Sequence, residues 1–134
     1  MQRRDFLILT AAVTLATPLP ARAAGEPYSP EALAAAQAAG ETILLDFTAS
    51  WCSTCAAQAR VLAALKAENP DYAARIRFID VDWDRWGNGD LARALNIPRR
   101  STLVAMKGDR EIGRIVAQTG RAPIRALLDQ ALAA

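Results

Sequence analysis

Cys52 and Cys55 are the only cysteines in the 134-residue chain, held in Trp51-Cys52-Ser53-Thr54-Cys55 just after the apolar run Ile43 to Phe47. Two thiols this far apart can close a small disulfide ring. At the first turn of a helix, unpaired backbone N–H groups and the positive dipole end favour a thiolate on the first of them. Cys52 is therefore the candidate nucleophile. Cys55, one turn later, is placed to attack the mixed disulfide and release the substrate as a dithiol. Two plainer readings are a structural disulfide and half of a zinc site. The chain contains no histidine and no further cysteine, so a tetrahedral set would need a second chain to supply two more sulfurs.

The elements around the pair follow from pattern and punctuation. Ser29-Pro30-Glu31 reads as an N-cap, a first-turn proline and an acidic first turn, opening a short helix that ends at Gly40. Thr42 to Thr48 is a strand with an unbroken apolar centre, as expected of a central strand buried on both faces. From Ser53 a helix carries Ala59, Leu62 and Leu65 on one face and stops at Asn69-Pro70. Arg75 to Trp83 alternates as a second strand, parallel to the first through that helical crossover. After Gly87-Asn88-Gly89 come a short helix from Asp90 to Leu95, a strand from Thr102 to Met106, a turn at Lys107-Gly108-Asp109-Arg110 and an antiparallel strand from Glu111 to Ala117. Pro123 is expected to start the last helix, with Ile124, Leu127, Leu128 and Ala131 on one face. The predicted order is αβαβαββα in one domain.

The first 23 residues say where the chemistry would take place. Gln2-Arg3-Arg4-Asp5-Phe6-Leu7 is a basic opening followed by an apolar stretch to Ala16, Pro18, Pro20 and Ala21-Arg22-Ala23. This is the pattern of a secretory signal cut after Ala23, and its paired arginines resemble a twin-arginine leader. The apolar run is shorter than the roughly 20 residues of a spanning helix, so no membrane span is expected once it is removed. Residues 24–134 would then carry 13 basic and 13 acidic side chains, a balance that calls for neither nucleic acid nor an anionic membrane as partner. Asp80, Asp82 and Asp84 have calcium-loop spacing, but Arg85 stands where the loop needs glycine and Leu91 where it needs glutamate, and no metal site is assigned.

Leu45-Asp46-Phe47, Trp51-Cys52-Ser53-Thr54-Cys55, Ser101-Thr102-Leu103-Val104 and Lys107-Gly108 together resemble the thioredoxin superfamily, and its exported members in particular. The resemblance implies an α/β thioredoxin fold, a central mixed sheet flanked by helices, with Cys52 exposed and Cys55 buried. It implies no cofactor beyond the Cys52–Cys55 disulfide itself. A periplasmic reductase of this kind would act on disulfides of cell-envelope proteins and draw electrons from a membrane thiol carrier, because the periplasm holds no reducing thiol pool. A metal- or cluster-binding thiolate pair and a redox-inactive chaperone on the same fold are the alternatives.

The resemblance also assigns the surroundings. Asp46 matches the family's buried aspartate, which would shuttle the Cys55 proton, unless it is simply an acid at an exposed strand end. Phe78 stands where a lysine often partners that aspartate. The family's cis-proline position, whose loop pairs with substrate backbone, reads Ser101 before Thr102, with Pro98 as the alternative occupant; before Ser101 the expected peptide is trans. Arg99 and Arg100 lie on the active-site rim or are solvated loop residues. Trp51 is expected to contact client polypeptide or else to pack in the core. Gly120 forms a third loop beside the dithiol or an ordinary turn. Ser53-Thr54 leaves the direction of electron flow open.

Overall fold

The computed structural model describes residues 24–134, so the expected leader over residues 1–23 lies outside the described residues. Ser29 accepts the Ala32 N–H and Pro30 occupies the first turn, which fixes the start of α1 (Pro30–Ala38) after a two-residue strand β1 (Glu26–Pro27). Gly40, at a φ of 67°, turns the chain into β2 (Thr42–Thr48). Then follow α2 (Ser53–Glu68), α3 (Pro70–Arg75), β3 (Arg77–Asp82), α4 (Trp83–Trp86), α5 (Asp90–Ala94), β4 (Thr102–Lys107), β5 (Arg110–Val116) and α6 (Arg121–Ala133).

The five strands form one mixed sheet in the order β1-β3-β2-β4-β5. β2 is its centre, parallel to β3 and antiparallel to β4. Alternation along β2 sends Leu44 to one face, packed with Leu62, Leu65, Leu103, Ile124 and Leu128 from α2, β4 and α6. The other face carries Ile43, Leu45 and Phe47 against Leu33 and Ala36 of α1, Val81 and Ala92. Covered on both sides, β2 is a rigid rod whose carboxyl end delivers the segment bearing the dithiol. Among the described residues no helix is long and apolar enough to cross a membrane.

The structure amends the sequence reading at several boundaries. Asn69-Pro70 ends α2 but also begins α3, because the Asn69 side chain accepts the Asp71 N–H and Pro70 suits a first turn. β3 consequently starts at Arg77 rather than Arg75. Asp82 caps the single-turn α4, and this turn packs Trp83 on Phe47 and Trp86 on Tyr28 with ring centroids 6.5 and 5.0 Å apart. α6 begins two residues before Pro123, with Gly120 as its N-cap.

Candidate functional site

Cys52 is the N-cap of α2, in extended conformation, and its Sγ accepts the Cys55 N–H at 3.2 Å. A sulfur thus does the capping usually given to a serine or aspartate oxygen, and a capping sulfur is best as an anion. Both cysteines are in the free form. Cys55 is buried, as expected. Cys52 is not exposed as the resemblance implied: only 4 % of its surface is accessible, because Ala49, Cys55 and Trp83 pack around it.

Ser101 closes the site from the opposite loop. Its Oγ lies 3.2 Å from Cys52 Sγ and 3.0 Å from Cys55 Sγ. No described peptide is cis, so the bond before Ser101 is trans and Pro98 is not a cis-proline. Ser101 instead adopts a φ of 63°, a left-handed conformation that non-glycine residues seldom take and that the surroundings must hold in place. They do so through three hydrogen bonds. Its N–H donates to Phe47 O at 2.7 Å, and its carbonyl accepts from Ala117 N at 2.8 Å and from Gln58 Nε2 at 3.0 Å.

Those bonds correct two assignments. The Ser101 backbone is saturated within the chain, so it is not free to pair with a substrate strand. Thr102 is fully buried, its backbone paired in β4 with Phe47 and Val116 and its hydroxyl donated to Arg99 O at 2.7 Å, so it offers nothing to a client. Gly120 is exposed at the start of α6, and its loop connects to the site through Gln118, whose carbonyl accepts from Gln58 at 3.0 Å.

Trp51 does lie at the surface, 59 % exposed, and is held by two contacts. Its Nε1–H donates to both Asp84 carboxylate oxygens at 3.0 Å, and the Arg100 guanidinium stacks 4.4 Å from the ring centroid. Arg100 also helps lower the Cys52 thiol. Arg99 turns away to bond Arg100 O through Nε.

Behind the dithiol, Asp46 is buried and its Oδ1 has no hydrogen-bond partner. It lines a cavity of about 80 Å³ with Thr48, Lys66, Phe78 and Asp80. Burial first, then the charges of Asp80 and Cys52, push its acid up to about 7, against the pull of Lys66. The cation absent at Phe78 is thus supplied by α2, with Lys66 Nζ resting 4.3 Å from the Phe78 ring centroid. Burial alone would raise the Cys52 thiol. Hydrogen bonds from Cys55, Ser101, the Cys55 amide and Arg100 outweigh it and hold the thiol down at about 6.

Sequence reasoning missed three contributors: Gln58, Lys66 and Asp80. Gln58 had a signal, a polar residue on the same buried face of α2 as Cys55, Leu62 and Leu65. Among the described residues no group of three histidine, cysteine or acidic side chains is placed to hold a metal.

A mixed sheet delivering a thiolate-prone cysteine at a helix start, with a second thiol one turn behind, defines a thiol–disulfide oxidoreductase of thioredoxin type. The thioredoxin-like family profile matches residues 24–115, and the chain belongs to that family. A thioredoxin of Mycolicibacterium smegmatis is 34 % identical over 90 residues, covering 67 % of this chain and 78 % of that one. The thiol:disulfide interchange protein TxlA of Synechococcus elongatus is 37 % identical over 87 residues, but the match covers 60 % of this chain and only 43 % of TxlA. The crystal structure of Trxlp from Edwardsiella tarda superposes with a TM-score of 0.67 at 30 % identity, covering 78 % of this chain and 98 % of that one. Like thioredoxins, the chain uses no cofactor, since its redox group is the Cys52–Cys55 pair.

Proposed function

We propose that the chain is exported across the inner membrane by its leader, cleaved after Ala23, and reduces or exchanges disulfides of proteins in the cell envelope. The observation that carries the chemistry is the Cys52 sulfur, capping α2 and hydrogen-bonded by Ser101 with its thiol held at about 6, which makes it a thiolate at neutral pH. Arg3-Arg4-Asp5-Phe6-Leu7 and Ala21-Arg22-Ala23 support the export. The likeness to a protein named for thiol:disulfide interchange supports exchange with protein clients.

Cys52 attacks a client disulfide, forming a mixed disulfide and expelling one client thiolate; Cys55 then attacks Cys52 Sγ, expelling the second. The client gains two electrons and the pair becomes a disulfide. Regeneration in an oxidising compartment requires a membrane thiol carrier as donor. The exposed Trp51 ring with Arg100 stacked on it is the surface a client meets first.

A Cys55→Ala variant expressed with its leader tests the reading. It should accumulate mixed disulfides with envelope proteins that dissolve on reduction and vanish in Cys52→Ala/Cys55→Ala. Disulfide-reducing activity retained in Cys52→Ala would overturn the mechanism, and adducts confined to the cytoplasm would overturn the location.

A further inference from the structure

The Ser101 hydroxyl is fully buried, and the partners within its hydrogen-bonding reach are the two sulfurs, at 3.2 and 3.0 Å. A hydroxyl has one proton to donate and two lone pairs to accept with. It can therefore donate to one sulfur at a time while accepting from the other. The backbone of Ser101 is tied at N–H and carbonyl to Phe47, Ala117 and Gln58, which anchors the residue in the gap, and rotation of the hydroxyl proton redirects the donor between the sulfurs. The Cys55 amide also donates to Cys52 Sγ, which places the first negative charge there.

We propose that the Ser101 hydroxyl is a switching donor that follows the negative charge from Cys52 to Cys55 during each turnover. In the free dithiol the Ser101 O–H donates to the Cys52 thiolate, and the Cys55 S–H is shared between that thiolate and Ser101 Oγ. Once Cys52 is bonded to a client sulfur it is neutral and a poor acceptor. When the Cys55 proton passes to water, the hydroxyl turns its proton to the Cys55 thiolate. Cys55 then attacks Cys52 Sγ: the Cys52–Cys55 bond forms, the bond to the client sulfur breaks, and the electron pair leaves on the client thiolate, which takes a proton from water. In the product disulfide neither sulfur is charged, and the hydroxyl loses its strong partner. The bond therefore stabilises the reduced pair over the oxidised one and makes the pair more oxidising than it would be without Ser101. This deepens the exchange mechanism above and rests on it.

Ser101→Ala and Ser101→Gly, each checked for folding by circular dichroism, separate the hydroxyl from the backbone, because glycine accepts a φ of 63° without strain whereas alanine does not. Cys52 is titrated by its iodoacetamide alkylation rate against pH, and the potential is measured against a glutathione series. Both variants should raise the Cys52 midpoint by about one pH unit, a tenfold loss of thiolate at pH values below it. At pH 8, above both midpoints, the redox equilibrium should move about tenfold towards the disulfide, a potential about 30 mV lower. At pH 5, where most of the Cys52 thiol is protonated in wild type and variants alike, the potentials should converge. An unmoved midpoint in both variants, a shift in alanine but not glycine, or a potential change that persists at pH 5 would each overturn the proposal. These readouts use no client protein, so a wild type unable to reduce protein disulfides would remove the proposed function and leave this result standing.

Discussion

Asp46 and Asp80 are register partners on the neighbouring parallel strands β2 and β3, so their carboxyl groups face the same small cavity. Neither is in its ordinary state. Burial raises both, with the Asp80 charge adding to the effect on Asp46, while a Gly25 N–H and Lys66 hold Asp80 back. Two acids thus share one desolvated place, and the deeper one holds its proton to near neutrality.

Asp46→Asn should for that reason remove a pH dependence of stability. An unfolded aspartate titrates at about 3.9, and the folded one at about 7. Between these values the folded state binds a proton that the unfolded state has lost, so wild-type stability falls as pH rises through this window and levels off above it. Below pH 4 both states are protonated and nothing is lost. Urea unfolding from pH 4 to 8 should show the variant gaining on wild type by up to about 4 kcal/mol at the alkaline end. Parallel curves would show that Asp46 titrates normally.

Lys66→Met should extend the same window. The lysine charge lowers the Asp46 acid, so removing it drives that acid above 7 and carries the decline in stability to higher pH. The double variant Asp46→Asn/Lys66→Met should lose this extension. A double-mutant cycle in urea at pH 8 measures the coupling directly, and additive single effects would show that Lys66 and Asp46 do not interact.

Much of this arrangement is legible in the residues. The apolar run of β2 and the face of α6 each read correctly because local pattern and packing agree. The misses share a cause. Asn-Pro was read as a stop, although asparagine as cap and proline in the first turn also start a helix, and which applies depends on whether the following residues find a surface to cover. Tyr72 and Ile76 find one, against Leu65 and Leu128. That proline is absent before Thr102 is visible in the sequence. That the serine in its place would point its hydroxyl at both sulfurs is not, because the φ of 63° is imposed by Phe47, Gln58 and Ala117, which lie 16 to 54 residues away along the chain.

Gln58→Leu isolates the clamp between the two loops. The wild-type amide donates to Ser101 O and Gln118 O, both at 3.0 Å. Leucine fills a similar volume but leaves Gln118 O without that donor and Ser101 O with only the Ala117 N–H, so a loss of about 2 to 3 kcal/mol is expected in urea unfolding. The loosening should be local. Hydrogen exchange at the Ala117 amide should accelerate more than at Leu45, which lies in the centre of β2. Equal acceleration at both would mean global destabilisation rather than release of the loop.

Trp51→Ala should separate client binding from the chemistry of the pair. The ring is mostly exposed, and its contacts with Asp84 and Arg100 lie at the surface, so folding stability should change by no more than about 1 kcal/mol. Reaction with a disulfide-bonded protein depends on the apolar platform, and KM should rise severalfold. Reaction with glutathione disulfide, too small to cover the ring, should keep its rate more nearly. Arg100→Gln acts differently, because Arg100 helps hold the Cys52 thiol down; its alkylation midpoint should rise while the Trp51 ring remains. If Trp51→Ala slows both disulfides equally and raises the Cys52 midpoint as Arg100→Gln does, the tryptophan acts by positioning Arg100 over the sulfur, and the client contact must be sought elsewhere on the rim.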